Sequence, residues 1–251
     1  MLHTSGHHSN KVLAALACAA ALGVSGCAAS SPSEEGTYVI GIQPGSTEQK
    51  LLGEMYRVLL TSAGSPAEVK EVDHKGVPAV DVVRSGQANL AIGCTGTLLA
   101  QLNPQLAEEA AEEIRDSAAG EDANDDSASE NVYEFAVGSF PGGVMTVDPS
   151  PAQGCAPEGE APGEGELPTN VIPVFAKSEL NRTQVNRINF VNRVLSTEDL
   201  AAMVDDVNSG KNVGDVMEKW LLEHTKVSVD SRSEDEGDSG QSDNLVEQPP
   251  V

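Results

Sequence analysis

Between Tyr38 and Thr97, short apolar runs alternate with stretches of helical spacing, and this alternation constrains the fold more than any other feature of the chain. Tyr38-Val39-Ile40-Gly41-Ile42 has the length and apolarity of a buried strand. Pro44-Gly45 breaks it. Ser46 then has the side chain of a helix N-cap, and Gln49, three residues on, would complete a capping box. Leu51, Leu52, Met55, Val58 and Leu59 recur at helical spacing, and Gly64 is a natural stop. Val69 and Val72 lie in a second strand. Val77 to Arg84 reads as a short helix that tolerates Pro78 in its first turn. Leu90 to Ile92 is a third strand, ended by Gly93, and the Thr95-Gly96-Thr97 turn feeds another apolar stretch. A strand–helix–strand–helix–strand order favours a parallel sheet with helices on its faces, so the fold class is α/β.

The chain then changes character. Leu106, Ala110 and Ile114 mark one face of a helix whose other face carries Glu108, Glu109, Glu112 and Glu113. Ser117 to Glu130 is Ala, Ser, Gly, Asp, Asn and Glu, the composition of a solvated loop, without the ligand spacing of a calcium loop. Val132 to Val137 alternates like a strand, Phe140-Pro141-Gly142-Gly143 is a turn, and Val144 to Val147 is a short apolar piece. Residues 148–169 are again rich in Pro, Gly and Glu. Order returns with the strand Val171-Ile172-Pro173-Val174-Phe175. A helix marked by Val185, Ile188, Phe190, Val191 and Val194 follows. Ser196 or Thr197 can cap the next, which carries Leu200, Met203, Val204 and Val207. Val213, Val216, Met217, Trp220 and Leu221 mark the last, with Trp220 in register with its core face.

Charge narrows the function. The 15 Lys and Arg stand against 39 Asp and Glu, a formal charge of -24, which sets the chain against nucleic acid. Residues 1–26 hold Lys11, no acidic residue and an apolar run from Val12 to Val24. That run is short for a membrane span and reads as the core of a secretory signal. It ends in Val24-Ser25-Gly26-Cys27, which resembles a bacterial lipobox, in which the cysteine receives diacylglyceryl and further acyl chains such as palmitate. On this reading the mature protein is extracytoplasmic and lipid-anchored to the cell membrane through Cys27. The alternative is an ordinary signal peptide with Cys27 incidental. Cys94 and Cys155 remain after Cys18 and Cys27. In an oxidising compartment they form either a disulfide or two separate thiols, and they are too few for a metal site. His74 and His224 are the histidines left to the mature chain. Neither supplies a base at a persuasive spacing from Cys94, so no catalysis and no cofactor is assigned. Asn181-Arg182-Thr183 matches a glycosylation sequon that a bacterial lipoprotein would not use.

Three separated motifs carry a resemblance. Gly41-Ile42-Gln43-Pro44-Gly45-Ser46-Thr47-Glu48-Gln49 with Leu52-Gly53-Glu54-Met55-Tyr56 is one. Val83-Arg84-Ser85-Gly86-Gln87-Ala88-Asn89-Leu90 before Thr95-Gly96-Thr97 is the second. Asn170 to Val174, Leu195 to Leu200 and Val213 to His224 form the third. Together they resemble the OpuAC-type substrate-binding proteins of ABC importers for glycine betaine, choline and related osmoprotectants. The resemblance covers residues 36–101 and 170–226 and implies a two-lobed fold of the type II periplasmic-binding-protein kind, with an ABC permease as partner. It implies a division into signal peptide 1–26, tether 27–36, first part of lobe one 37–101, reduced second lobe with acidic loops 102–169, return to lobe one 170–228, and disordered acidic tail 229–251. The implied ligand-binding residues are Gly45, Ser46, Thr47, Cys94, Thr95 and Phe140. A quaternary ammonium is held mainly by aromatic faces, and here the chain departs from the family. Cys94 stands where the family has an aromatic before Thr-Gly-Thr, and Ser46 stands where it has Phe. The remaining aromatics are Tyr38, Tyr56, Tyr133, Phe135 and Phe140, of which Phe140 beside Gly142-Gly143 is the best placed for a ligand. The alternative function is a degenerate surface lipoprotein with a structural or protein-docking role and no solute.

Overall fold

The β1–α1 unit sets the pattern for the molecule. The computed structural model describes residues 36–72, 76–118, 125–155 and 166–225. The signal sequence, the lipobox, nearly all of the tether, His74 and the acidic tail lie outside the described residues. Strand β1 (Tyr38–Ile42) runs into α1 (Thr47–Ser62) through a turn in which Gly45 takes φ +78°, a conformation that L side chains avoid. Ser46 caps α1, its hydroxyl accepting the Gln49 N–H at 3.2 Å. The Gln49 side chain accepts instead from the Gln43 N–H at 3.4 Å, so half of the anticipated capping box forms. Strands β2 (Ala67–Glu71) and β3 (Leu90–Cys94) flank β1, both parallel to it. Helix α2 (Ala79–Arg84) connects β2 to β3.

The return strand β5 (Val171–Ala176) pairs antiparallel with β3, Cys94 opposite Val171. The two-residue β4 (Val144–Met145) closes the edge, giving the sheet order β2-β1-β3-β5-β4. The sheet is therefore mixed, and only its first three strands obey the parallel reading. One face is covered by α1, α6 (Arg182–Val194), α7 (Thr197–Asn208) and α8 (Val213–Thr225). Leu51, Leu52, Met55, Leu59, Ile188, Leu200, Met217, Trp220 and Leu221 fill that side. The smaller cluster on Ala79, Val80, Val82, Val83, Ala91, Ile172 and Val174 joins α2 to β3 and β5.

Residues 102–169 differ from the sequence reading in two places. Helix α4 (Pro104–Ala118) forms as expected, but α5 (Asp125–Gly138) occupies the second part of the supposed loop and all of the supposed strand Val132–Val137. The reason is packing. Val132 and Ala136 are one helical turn apart and meet Leu99, Ala107 and Ala110, on α3 (Thr95–Leu102) and α4. Among the described residues of this segment no second sheet is built. Its one named strand, β4, belongs to the sheet already described.

Candidate ligand site at the ends of β1 and β3

Strands β1 and β3 are neighbours and parallel, so the helices that follow them, α1 and α3, begin at the same end of the sheet. Helix N-termini present unsatisfied N–H groups and a positive partial charge, which suits a carboxylate or phosphate. Gly45, Ser46, Thr47, Cys94 and Thr95 all fall at this end. Gly45 is exposed, and Ser46 and Thr47 are half-buried. The Thr47 hydroxyl donates to Asn208 Oδ1 at 2.9 Å, which ties the α1 start to the end of α7.

The α3 start is a different environment, because the protein's own chain covers it. The Thr95 N–H donates to Asn170 O at 3.0 Å and the Gly96 N–H to Pro168 O at 3.0 Å. The Thr95 hydroxyl donates to Pro168 O at 2.9 Å and accepts the Asn170 N–H at 3.0 Å. A Cβ placed on Gly96 would lie 2.7 Å from both Leu167 Cβ and Pro168 O, so glycine is required for this approach. Thr95 is fully buried. Behind it, Asn170 donates through Nδ2 to Ser150 O at 2.9 Å, while its Oδ1 is a buried acceptor with no partner among the described residues.

Cys94 is fully buried and bonded to Cys155, with the two Cα atoms 6.0 Å apart. A sulfur held in a disulfide is no nucleophile, which removes the one catalytic reading of Cys94. The bridge brings the segment before Val171 over the α1 start as well. The Cys155 N–H donates to Glu48 Oε1 at 2.8 Å. Burial pushes the Glu48 carboxyl above its ordinary range, an effect partly offset by that N–H. Gly154 is as constrained as Gly96, since a Cβ there would lie 2.7 Å from Val171 Cγ2 and 2.9 Å from Glu48 Oε1.

Phe140 belongs elsewhere. It follows α5 and packs, half-buried, against the α2-side cluster of Val80, Val83, Ala91, Leu98, Ile172 and Val174, whereas Cys94 belongs to the α1-side cluster. Tyr56 is fully buried in the core and donates to Asn192 Oδ1 at 2.9 Å. His224 stacks on Trp220 with ring centroids 4.9 Å apart, and its Nε2 lies 3.7 Å from Asp199 Oδ1, so it completes the α7–α8 corner. Sequence reasoning missed Glu48, Gly154, Leu167, Pro168 and Asn170 as parts of this region. Glu48 and Asn170 lie inside the first and third of the three motifs, but their contacts, like those of Gly154, Leu167 and Pro168, come from chain crossings that no local pattern encodes.

The comparisons agree with this frame. The family profile for the substrate binding domain of ABC-type glycine betaine transport systems matches residues 36–137. That stretch holds β1 to α5 and both helix starts; it includes the α4–α5 pair and leaves out the expected C-terminal motifs. No curated protein matches the sequence. Among solved structures, apo YehZ from Escherichia coli superposes with a TM-score of 0.57 at 13% identity, covering 75% of this chain and 98% of that one. The fold is thus a mixed α/β fold of the type II periplasmic-binding-protein kind.

Proposed function

We propose that the protein is the extracytoplasmic solute-binding component of an ABC importer, held to the membrane by lipid on Cys27. Its solute is glycine betaine, choline or a related osmoprotectant. The observation that carries this reading is the matched stretch 36–137, which contains the adjacent starts of α1 and α3 at one end of the sheet. The exposed Gly45 turn with Ser46 and Thr47 is the accessible part of that region, and it suits the carboxylate of a zwitterion. Among the described residues no helix is long and apolar enough to cross a membrane.

A specific observation favours a second reading. The Thr95 and Gly96 N–H groups are already paired with Asn170 O and Pro168 O, and Phe140 is committed to a hydrophobic cluster. A protein that keeps this fold but fills its own site would be a surface lipoprotein with a structural or docking role. Isothermal titration with glycine betaine, choline, carnitine and proline separates the two. Saturable heat with any of them supports transport, and none with all four supports the filled site.

A further inference from the structure

The Cys94–Cys155 bridge is part of a three-residue cluster. Cys94 Sγ, Cys155 Sγ and a Glu48 carboxylate oxygen lie within 4.8 Å of one another. We propose that, when a dithiol reduces the bridge, these three atoms become a site for a thiophilic divalent cation such as Zn2+ or Cd2+. The proposal is independent of whether a solute binds.

The donor set fits the chemistry. Zinc takes thiolate sulfur at about 2.3 Å and carboxylate oxygen at about 2.0–2.2 Å, in tetrahedral sites whose donors therefore lie about 3–4 Å apart. The three atoms already lie within 4.8 Å of one another, and reduction frees the two sulfurs to separate towards that spacing. Cys94 stands at the N-cap of α3, where the helix dipole favours a thiolate. Glu48 lies in the first turn of α1, and the Cys155 N–H at 2.8 Å orients its carboxylate as an outer partner of a metal ligand does. Three protein donors leave a fourth position for water or an exogenous ligand. In the oxidised protein the disulfide consumes both sulfur donors, so metal affinity follows the redox state.

The electrons balance. The dithiol delivers two electrons to the Cys94–Cys155 bond and becomes a disulfide itself. Its two protons pass to Cys94 and Cys155, and metal binding then releases them to solvent.

The test uses the full chain with Cys18→Ser and Cys27→Ser, so that only the two thiols of interest remain. It is reduced with dithiothreitol, desalted without oxygen and titrated with Cd2+ alone, and the ultraviolet sulfur-to-cadmium charge-transfer band is followed. The expected result is one Cd2+ per reduced chain and no band from the oxidised chain. Binding should fall at least tenfold in Glu48→Gln and be lost in Cys155→Ser, with circular dichroism confirming that each reduced chain stays folded. An absent band in the reduced chain would overturn the proposal. Equal affinity in Glu48→Gln, in Cys155→Ser or in denaturant would overturn it too, because each means that sulfur binds without the folded cluster.

Discussion

The backbone N–H of Cys155 donates to Glu48 Oε1 at 2.8 Å, joining the first turn of α1 to a residue 107 positions away in sequence. The carboxyl that accepts it is half-buried and held above its ordinary pKa by desolvation. Because the folded state binds this proton more tightly than the unfolded state, Glu48 contributes stability below the ordinary carboxylate pKa. That contribution is lost as pH rises towards the raised folded value. Glu48→Gln keeps an acceptor for the Cys155 N–H and removes the titration. Denaturant unfolding between pH 4 and 7 should show wild-type stability falling with a component that the variant lacks. Identical pH profiles would show that Glu48 titrates as in the unfolded chain.

The Cys94–Cys155 bridge spans 61 positions. Closing a loop of this size restricts the unfolded chain, which places its contribution at about 2–4 kcal/mol. The double substitution Cys94→Ala with Cys155→Ser should lower unfolding free energy by that amount in urea denaturation. A change below about 0.5 kcal/mol would mean the bridge holds nothing that the surrounding contacts do not.

Gly96 allows the Leu167–Asn170 crossing. Gly96→Ala puts a methyl group 2.7 Å from Leu167 Cβ and from the Pro168 carbonyl oxygen, and backbone cannot swing aside as a long side chain can. A cost of about 1–3 kcal/mol follows from such overpacking. Amide hydrogen exchange at Thr95, Gly96 and Asn170 should accelerate with it. Unchanged exchange at those three amides would contradict the crossing as the cover of the α3 start.

Tyr56 and Asn192 form a buried pair at 2.9 Å, and burial drives the tyrosine hydroxyl far above its ordinary pKa. Tyr56→Phe removes the hydroxyl donor from Asn192 Oδ1 inside the core, which costs about 1–3 kcal/mol. Thermal unfolding of Tyr56→Phe and Asn192→Leu, singly and together, should give a clear coupling energy, and strict additivity would rule the pair out as an energetic unit.

Most of the sheet was legible in the residues because β1, α1, β2, α2 and β3 each carry a pattern of one period and a stop. Val132–Val137 was not. A short run with apolar residues at positions one, two, four, five and six fits either period, and Leu99, Ala107 and Ala110, far off in local sequence, decide for helix. Phe140 illustrates the same limit, since proximity to Gly142 and Gly143 suggested exposure while the ring packs, half-buried, against the α2-side cluster. In sequence Cys94 and Cys155 are a candidate pair with two separate thiols as the alternative, and the structure joins them. The covering of Thr95 could not be foreseen, because Pro168 and Asn170 reach it through a strand crossing whose geometry only the assembled sheet defines.

Calorimetric titration of the intact chain with glycine betaine, choline, carnitine and proline, repeated on Thr47→Val, weighs the transport reading most directly. The account predicts saturable one-to-one heat with at least one solute, weakened when the Thr47 hydroxyl is removed from the open turn. Flat titrations with all four, together with unmoved melting temperatures, would contradict it and leave the self-filled site as the working description.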